Sequence, residues 1–94
     1  MTEKNINQQT KLKVLITDVQ KRLDKNQKDY WIIRILIDKE EKSYLAFSGD
    51  RDLVPKTLSL LMNYSNVLKG RNALLTVRQI QDRSKVVEIE VEKE

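Results

Sequence analysis

One predicted helix, residues 53–68, lies between three strand-like segments before it and two after it. Few architectures accommodate this order in a chain of 94 residues, and it predicts a small, mainly β barrel with one helix. An open α+β sheet built from the same elements is the alternative, because periodicity does not distinguish parallel from antiparallel pairing. We expect a single domain, residues 11–94, after a flexible N-terminal arm of residues 1–10.

The hydrophobic pattern places the strands. Residues 30–37 (YWIIRILI) are rich in β-branched and aromatic side chains and give the strongest strand signal in the chain. Residues 11–19 and 86–92 alternate between apolar and polar side chains, as half-buried strands do. The other strands are predicted at residues 43–48 and 73–80, and the connecting turns at residues 20–29, 38–42 and 81–85.

The second predicted strand has two different faces. One face is wholly apolar and is assigned to the core: Trp31, Ile33, Ile35 and Ile37. The other face is an apolar row interrupted by one charge: Tyr30, Ile32, Arg34 and Leu36. In the following strand, Leu45 and Phe47 are expected to point into the core.

The helix prediction rests on an apolar stripe and on the two helix ends. The stripe consists of Val54, Leu58, Leu61 and Leu68, with Met62 and Tyr64 beside them. Asp50 or Asp52 is expected to cap the N-terminus, and Pro55 suits the first turn. Lys69 and Gly70 predict the helix end.

Composition argues against catalysis and metal binding. The chain contains no His and no Cys, which removes the usual nucleophile–base pairs and the thiolate and imidazole metal ligands. It also lacks a Walker loop and a dinucleotide-binding glycine pattern. We therefore expect a protein that is not an enzyme and that holds no metal and no cofactor. The polar first ten residues and the absence of a long apolar run predict a cytoplasmic protein.

The net charge of +4 is unevenly distributed. Residues 11–37 carry seven Lys or Arg against three Asp, and residues 69–85 carry five against Asp82 alone. The end of the chain, residues 86–94, is acidic. Two basic segments that meet in space would attract a polyanion.

The chain resembles the OB-fold family over about residues 11–92. The resemblance rests on the element order and on the long first hairpin, KVLITDVQ…YWIIRILID, followed by KSYLAFSGD. It implies a five-stranded Greek-key barrel that binds ligands on the face of strands two and three, between two flanking loops. The chain is also similar in size, charge and element order to small basic OB-type subunits of archaeal replication assemblies, in particular those bound to a B-family DNA polymerase.

The resemblance implies positions for the cationic side chains. The first loop would carry Lys21, Arg22, Lys25 and Lys28, and the second would carry Arg83 and Lys85. Arg34 would lie on the floor between the loops, with Arg78 nearby. Such cationic walls track a phosphate backbone, but single-strand binding also requires aromatic rings, and the chain has few.

Two functions are compatible with these features. The first is a non-catalytic accessory subunit of a DNA replication or repair assembly, which contacts a protein such as a DNA polymerase and, weakly, single-stranded nucleic acid. Its partner-binding residues would be Tyr30, Ile32, Arg34, Leu36 and Tyr44. The alternative is an independent single-stranded DNA- or RNA-binding protein. Neither function requires a membrane or a small-molecule substrate.

Overall fold

Five strands close into a barrel in the order β1-β2-β3-β5-β4. The computed structural model describes residues 7–80 and 83–92, with the side chains of residues 9–79 and 84–92. The elements are β1 (Asn7–Leu23), β2 (Asp29–Ile37), β3 (Glu40–Phe47), α1 (Pro55–Leu68), β4 (Asn72–Ile80) and β5 (Arg83–Val91). The closed barrel confirms the predicted OB-like fold, mainly β with one helix, and excludes the open sheet.

Strand β1 makes closure possible because it pairs with two neighbours. Its first part is antiparallel to β4, from Asn7 opposite Ile80 to Leu15 opposite Asn72. Its second part is antiparallel to β2 as far as Leu23, with a bulge at Thr17. A bulge bends a strand and increases its twist, which directs the second half of β1 onto β2. The parallel pairing of Leu45 with Lys85 joins β3 to β5 and completes the barrel.

The core is built from the inward side chains of all five strands. Trp31, Ile33 and Ile35 of β2 are fully buried, as predicted, because alternate residues of a strand face the same side. Helix α1 packs on this core through Leu61 and Leu68. The helix also provides a hydrogen-bond acceptor for the backbone of β5. The buried Thr57 hydroxyl accepts a hydrogen bond from the Ile89 N–H at 3.0 Å.

The two ends of α1 differ in how well they were predicted. The N-cap position is Val54, with no side-chain cap, so the prediction that Asp50 or Asp52 caps the helix is wrong. Pro55 does occupy the first turn. At the other end, Gly70 has φ +81° and the Arg71 N–H donates to the Leu68 carbonyl at 3.1 Å, which is a type II turn that requires glycine.

The helix stripe also differs from the prediction. Met62 and Tyr64 are exposed, whereas the buried helix residues are Thr57, Leu61 and Leu68. Tyr64 has non-helical backbone angles (φ −134°, ψ 29°), so the helix is kinked at this residue and the regular spacing is lost. A hydroxyl-bearing Thr57 on the buried face is invisible to a pattern based on hydrophobicity alone.

Several element ends were misplaced by the sequence prediction. Residues 7–10, predicted as part of a flexible arm, pair with β4, and residues 1–6 lie outside the described residues. Strand β1 continues to Leu23, which shortens the first turn. The turn between β2 and β3 contains only Asp38 and Lys39, both with positive φ, as in a two-residue hairpin. Strand β5 begins at Arg83, inside the predicted turn of residues 81–85.

Candidate binding face of strands β1 to β3

The side of β1, β2 and β3 that points away from the core forms one continuous surface, which we call the outer face. Antiparallel register arranges its side chains in rows that cross the three strands. The rows are Arg22–Tyr30–Phe47, Gln20–Ile32–Leu45 and Asp18–Arg34–Ser43. These three rows contain two rings, two aliphatic side chains and two arginines, and Leu36 continues the outer face along β2.

The ring pair of the outer face is Tyr30 and Phe47. The ring centroids are 5.8 Å apart and the planes are inclined by 27°, so the two rings are stacked. Both side chains are half-buried. The prediction that Phe47 belongs to the core is wrong, because register places it beside Tyr30 and away from Trp31.

The fully buried residue of β3 is Ala46, which lies opposite Trp31. A small side chain opposite the largest one in the chain leaves room for the indole ring. This pairing determines the phase of β3, that is, which of its alternating residues face the core. Leu45 therefore points outward, contrary to the prediction. Tyr44 lies opposite Ile33 and packs against the core, on the other side of the sheet from Ile32.

Arg34 lies at the centre of the apolar part of the outer face. Ile32 and Leu36 flank it along β2, and both are half-buried while Arg34 is exposed. No carboxylate among the described residues lies within ion-pair distance of Arg34. Asp18, directly across the strand pair from Arg34, is instead 3.5 Å from the Lys69 ammonium.

The environment of Asp18 keeps this carboxyl group ionised. Burial raises the pKa of Asp18, but the hydrogen bond from Gln20 and the charge of Lys69 outweigh burial and lower the pKa below its usual value. Arg34 therefore has a negative neighbour that is engaged elsewhere, and its own guanidinium faces solvent.

The β1–β2 hairpin end presents the predicted cations of the first loop. Lys21, Arg22, Lys25 and Lys28 are all exposed. Lys21 and Arg22 are strand residues, because β1 continues to Leu23. Lys21 is 3.9 Å from Asp29, and since more than half of its side chain is exposed this contact contributes little to stability.

The turn that carries Lys25 and Lys28 is held by Asp24. Its carboxylate Oδ1 accepts hydrogen bonds from the backbone N–H groups of Asn26 at 2.8 Å and Lys28 at 2.9 Å. The Asp24 N–H in turn donates to the Lys28 carbonyl at 2.9 Å. A Cβ placed on Gly49 would lie 3.7 Å from Lys28 Nζ, so the Lys28 side chain runs along the connection that follows β3.

Lys85, predicted for the second loop, and Arg78, predicted nearby, are engaged by two carboxylates of this connection. Lys85 Nζ is 2.8 Å from Asp50 Oδ1 and 3.1 Å from Asp52 Oδ2. Arg78 Nη1 is 2.9 Å from the same Asp52 oxygen. The side chain of Arg83 lies outside the part of the chain that the structure describes.

The pKa shifts agree with this ion-pair cluster. Burial of the ammonium group lowers the pKa of Lys85, but the hydrogen bonds and charges of Asp50 and Asp52 outweigh burial and raise it above 10.5. The hydrogen bond from Lys85 lowers the pKa of Asp52, assisted by the charges of Lys85 and Arg78 and opposed by partial burial. Asp52 and Lys85 are thus both charged at neutral pH.

The structure therefore brings together part of the predicted site. Arg22, Arg34 and the hairpin-end lysines remain exposed, whereas Arg78 and Lys85 are engaged. Leu45 and Phe47 are added to the outer face. The sequence did not identify them, because both faces of the third strand carry apolar or aromatic side chains.

Neither a metal centre nor a membrane span is found in the described ranges 7–80 and 83–92. These residues contain no cluster of carboxylates or other ligands arranged to hold a metal ion. Helix α1 is too short to cross a bilayer. Comparison of the chain with protein-family models, curated proteins and solved structures gives no match, so the geometry of the outer face is the basis for functional inference.

Proposed function

We propose that this protein is a non-catalytic accessory subunit of a DNA replication or repair assembly. Its outer face would dock on a larger nucleic-acid enzyme such as a DNA polymerase, and its hairpin-end cations would contact single-stranded nucleic acid weakly. The observation that carries the proposal is the exposed Arg34 among the half-buried Ile32, Leu36 and Leu45. Apolar surface around a central arginine is the composition of protein–protein interface cores.

The chemistry of the outer face suits a partner segment with both apolar and acidic side chains. Ile32, Leu45 and the ring pair offer contiguous apolar surface over two cross-strand rows. Arg22 lies in the row of the ring pair and Arg34 lies next to Ile32 along β2, and both would pair with carboxylates of the partner. A partner that covers the rows would exclude water from both ion pairs. The pairs would then discriminate more strongly between partners with and without carboxylates at these positions.

The engaged cations favour docking over independent nucleic-acid binding. Strong single-strand binders combine a continuous cationic groove with stacking rings. Here Arg78 and Lys85 are already neutralised by carboxylates of the same chain, so the side of the outer face next to β5 offers little positive charge. Nucleic-acid affinity would then depend on the hairpin end, as expected for a secondary contact within an assembly.

The test is capture of the partner on immobilised protein, with variants of the outer face. Arg34→Ala and Ile32→Ala should lose a nucleic-acid enzyme that the wild-type chain retains from extract of its own cells. Lys13→Ala, at an exposed position in the part of β1 that pairs with β4 and outside the three rows, is the matched control and should retain it. Melting temperatures should change little for Arg34→Ala, because exposed substitutions cost within about 0.5 kcal/mol.

Two results would contradict the proposal. One is equal retention of the enzyme by Arg34→Ala and the wild-type chain. The other is retention of proteins unrelated to nucleic-acid metabolism through these residues.

A second candidate function is independent binding of single-stranded nucleic acid. The stacked Tyr30 and Phe47 rings beside Arg22 favour it, because rings next to a cation are the element that the sequence-based site lacked. Fluorescence anisotropy of a labelled oligothymidine, measured over a range of salt concentrations, distinguishes the two functions. Binding that is weak and steeply salt-dependent supports the accessory role, and tight binding by the isolated protein supports the second candidate.

A further inference from the structure

The ion-pair cluster contains an electrostatic conflict. Arg78 and Lys85 are directly opposite each other on β4 and β5, and like charges in that position repel. Asp52 Oδ2 resolves the conflict by contacting both, at 2.9 Å and 3.1 Å respectively. The strands thus form a pair of cations whose shared counter-ion comes from the connection between β3 and α1.

The counter-ions belong to a structured turn, residues 50–52, which we call the acidic turn. The Asp50 carboxylate accepts a hydrogen bond from the Asp52 N–H at 3.0 Å and binds Lys85 with the same oxygen. The Asp50 N–H donates to the Phe47 carbonyl at 3.1 Å, which fixes the turn beside the ring pair. Lys85 is likewise next to Leu45 of the outer face. The cation pair therefore borders the proposed binding surface.

The two carboxylates are held differently. Asp50 is nine-tenths buried, whereas 38% of the Asp52 side chain is exposed. The buried Asp50 Oδ2 and Arg78 Nε have no hydrogen-bond partner among the described residues. Because Asp52 is partly exposed, its carboxylate is the one that an external anion can replace at the two cations.

We propose that Arg78 and Lys85 form a phosphate-binding site that the acidic turn occupies, so that single-stranded nucleic acid binds there only by displacing Asp52. This inference rests on the nucleic-acid contact proposed above and deepens it. A phosphate carries the charge of the carboxylate it replaces, and a partly exposed carboxylate–cation contact contributes little net free energy. Replacement of the Asp52 carboxylate by a phosphate therefore changes the free energy little. The acidic turn then determines how tightly nucleic acid binds at Arg78 and Lys85.

The experiment compares the wild-type chain with Asp52→Asn in binding to a fluorescein-labelled oligothymidine. The neutral amide no longer neutralises Arg78 and leaves Lys85 with Asp50 alone, so we expect affinity to rise about three- to ten-fold at low salt. The slope of log affinity against log salt should steepen by roughly 0.7 for each additional phosphate that the protein neutralises. Glu90→Gln is the matched control, because it removes the same charge from an exposed position of β5 away from the turn.

A double-mutant cycle identifies the site. Arg78→Gln should lower the affinity of the Asp52→Asn protein several-fold, and should have a much smaller effect in the otherwise wild-type chain. Equal increases in affinity for Asp52→Asn and Glu90→Gln would overturn the proposal, because net charge alone would then explain them. Equal losses on Arg78→Gln in both backgrounds would overturn it too.

A measurement on the unmodified chain covers the case in which Asp52→Asn does not fold. Titration with the oligothymidine should shift the amide resonance of Asp52, because the carboxylate of the same residue leaves Arg78 and Lys85. If the amide resonance of Arg22 shifts to saturation while that of Asp52 does not change, the proposal is overturned. If oligothymidine binds the wild-type chain through Arg22 and Lys28 but Asp52→Asn adds nothing, only the occupied-site inference fails. If neither protein binds at low salt, the proposed nucleic-acid contact fails and this inference fails with it.

Discussion

Trp31 and Ala46 lie directly opposite each other on β2 and β3, and both are fully buried. The pairing of the largest side chain in the chain with one of the smallest places Ala46 inward. It therefore also turns Leu45 and Phe47 outward, because alternate residues of a strand face opposite sides. The composition of the candidate binding face thus depends on a packing relationship inside the barrel.

The first prediction concerns this pairing. Ala46→Leu should destabilise the protein by about 1–3 kcal/mol, because extra methylene groups opposite a fully buried indole force the core to rearrange. For a domain of this size the melting temperature should fall by roughly 4–8 °C per kcal/mol. Ser43→Leu, at an exposed position of the same strand, is the control and should change stability by no more than about 0.5 kcal/mol. Comparable melting temperatures for the two variants would contradict the assigned phase of β3.

The second prediction uses the two glycines as a matched pair. Gly70 has φ +81° with no atom within 4 Å of an added Cβ, so Gly70→Ala would suffer from backbone strain alone. We expect a loss of about 1–2 kcal/mol in the free energy of unfolding. An added Cβ at Gly49 would make an ordinary 3.7 Å contact with Lys28, so Gly49→Ala should be close to neutral. Denaturant unfolding measures both variants, and a neutral Gly70→Ala would show that the turn after α1 is of another type.

The third prediction concerns pH. The pKa of Asp52 is lowered in the folded protein from its usual 3.8, so its contribution to stability is present above that value and is lost as pH falls through the folded pKa. The wild-type chain should therefore melt at a higher temperature than Asp52→Asn at neutral pH, and the difference should shrink as pH falls below about 4. Thermal unfolding followed by circular dichroism at several pH values tests this. A difference that persists unchanged into strong acid would exclude Asp52 ionisation as its source.

The raised pKa of Lys85 predicts how stability changes with pH in the alkaline range. Its pKa is raised in the folded protein, so its contribution is present below the unfolded value of 10.5 and is lost as pH rises through the folded pKa. The melting temperatures of the wild-type chain and Lys85→Met should therefore converge above about pH 10.5. Convergence that is complete at neutral pH would show that the Lys85 contacts with Asp50 and Asp52 do not stabilise the fold.

The fourth prediction concerns the ring pair. If nucleic acid contacts the outer face, Tyr30→Leu should weaken oligothymidine binding by up to about 1–3 kcal/mol, the usual contribution of one stacked base. Tyr64→Leu removes an exposed tyrosine from α1, outside the outer face, and is the control. Anisotropy titrations at one fixed salt concentration compare the two. An equal effect of both substitutions would remove the rings from the binding site and leave only phosphate contacts.

The sequence alone determined the order of the elements and the core face of β2. Trp31, Ile33 and Ile35 alternate with a face that contains Arg34, and burying an arginine without a partner is costly, so only one orientation of this strand is stable. Glycine and proline near the helix ends fix local backbone geometry in the same direct way. Such features depend on neighbouring residues and can be predicted from them.

The tertiary structure decided the features that depend on distant residues. In β3 both faces carry apolar side chains, so the phase of the strand follows from packing of Ala46 against Trp31 and not from hydrophobicity. Asp50 and Asp52 suit a helix cap locally, but Lys85, more than thirty residues away, and Arg78 bind them instead. Charged groups select the strongest partner that the fold brings within reach, and barrel closure determines which partners those are.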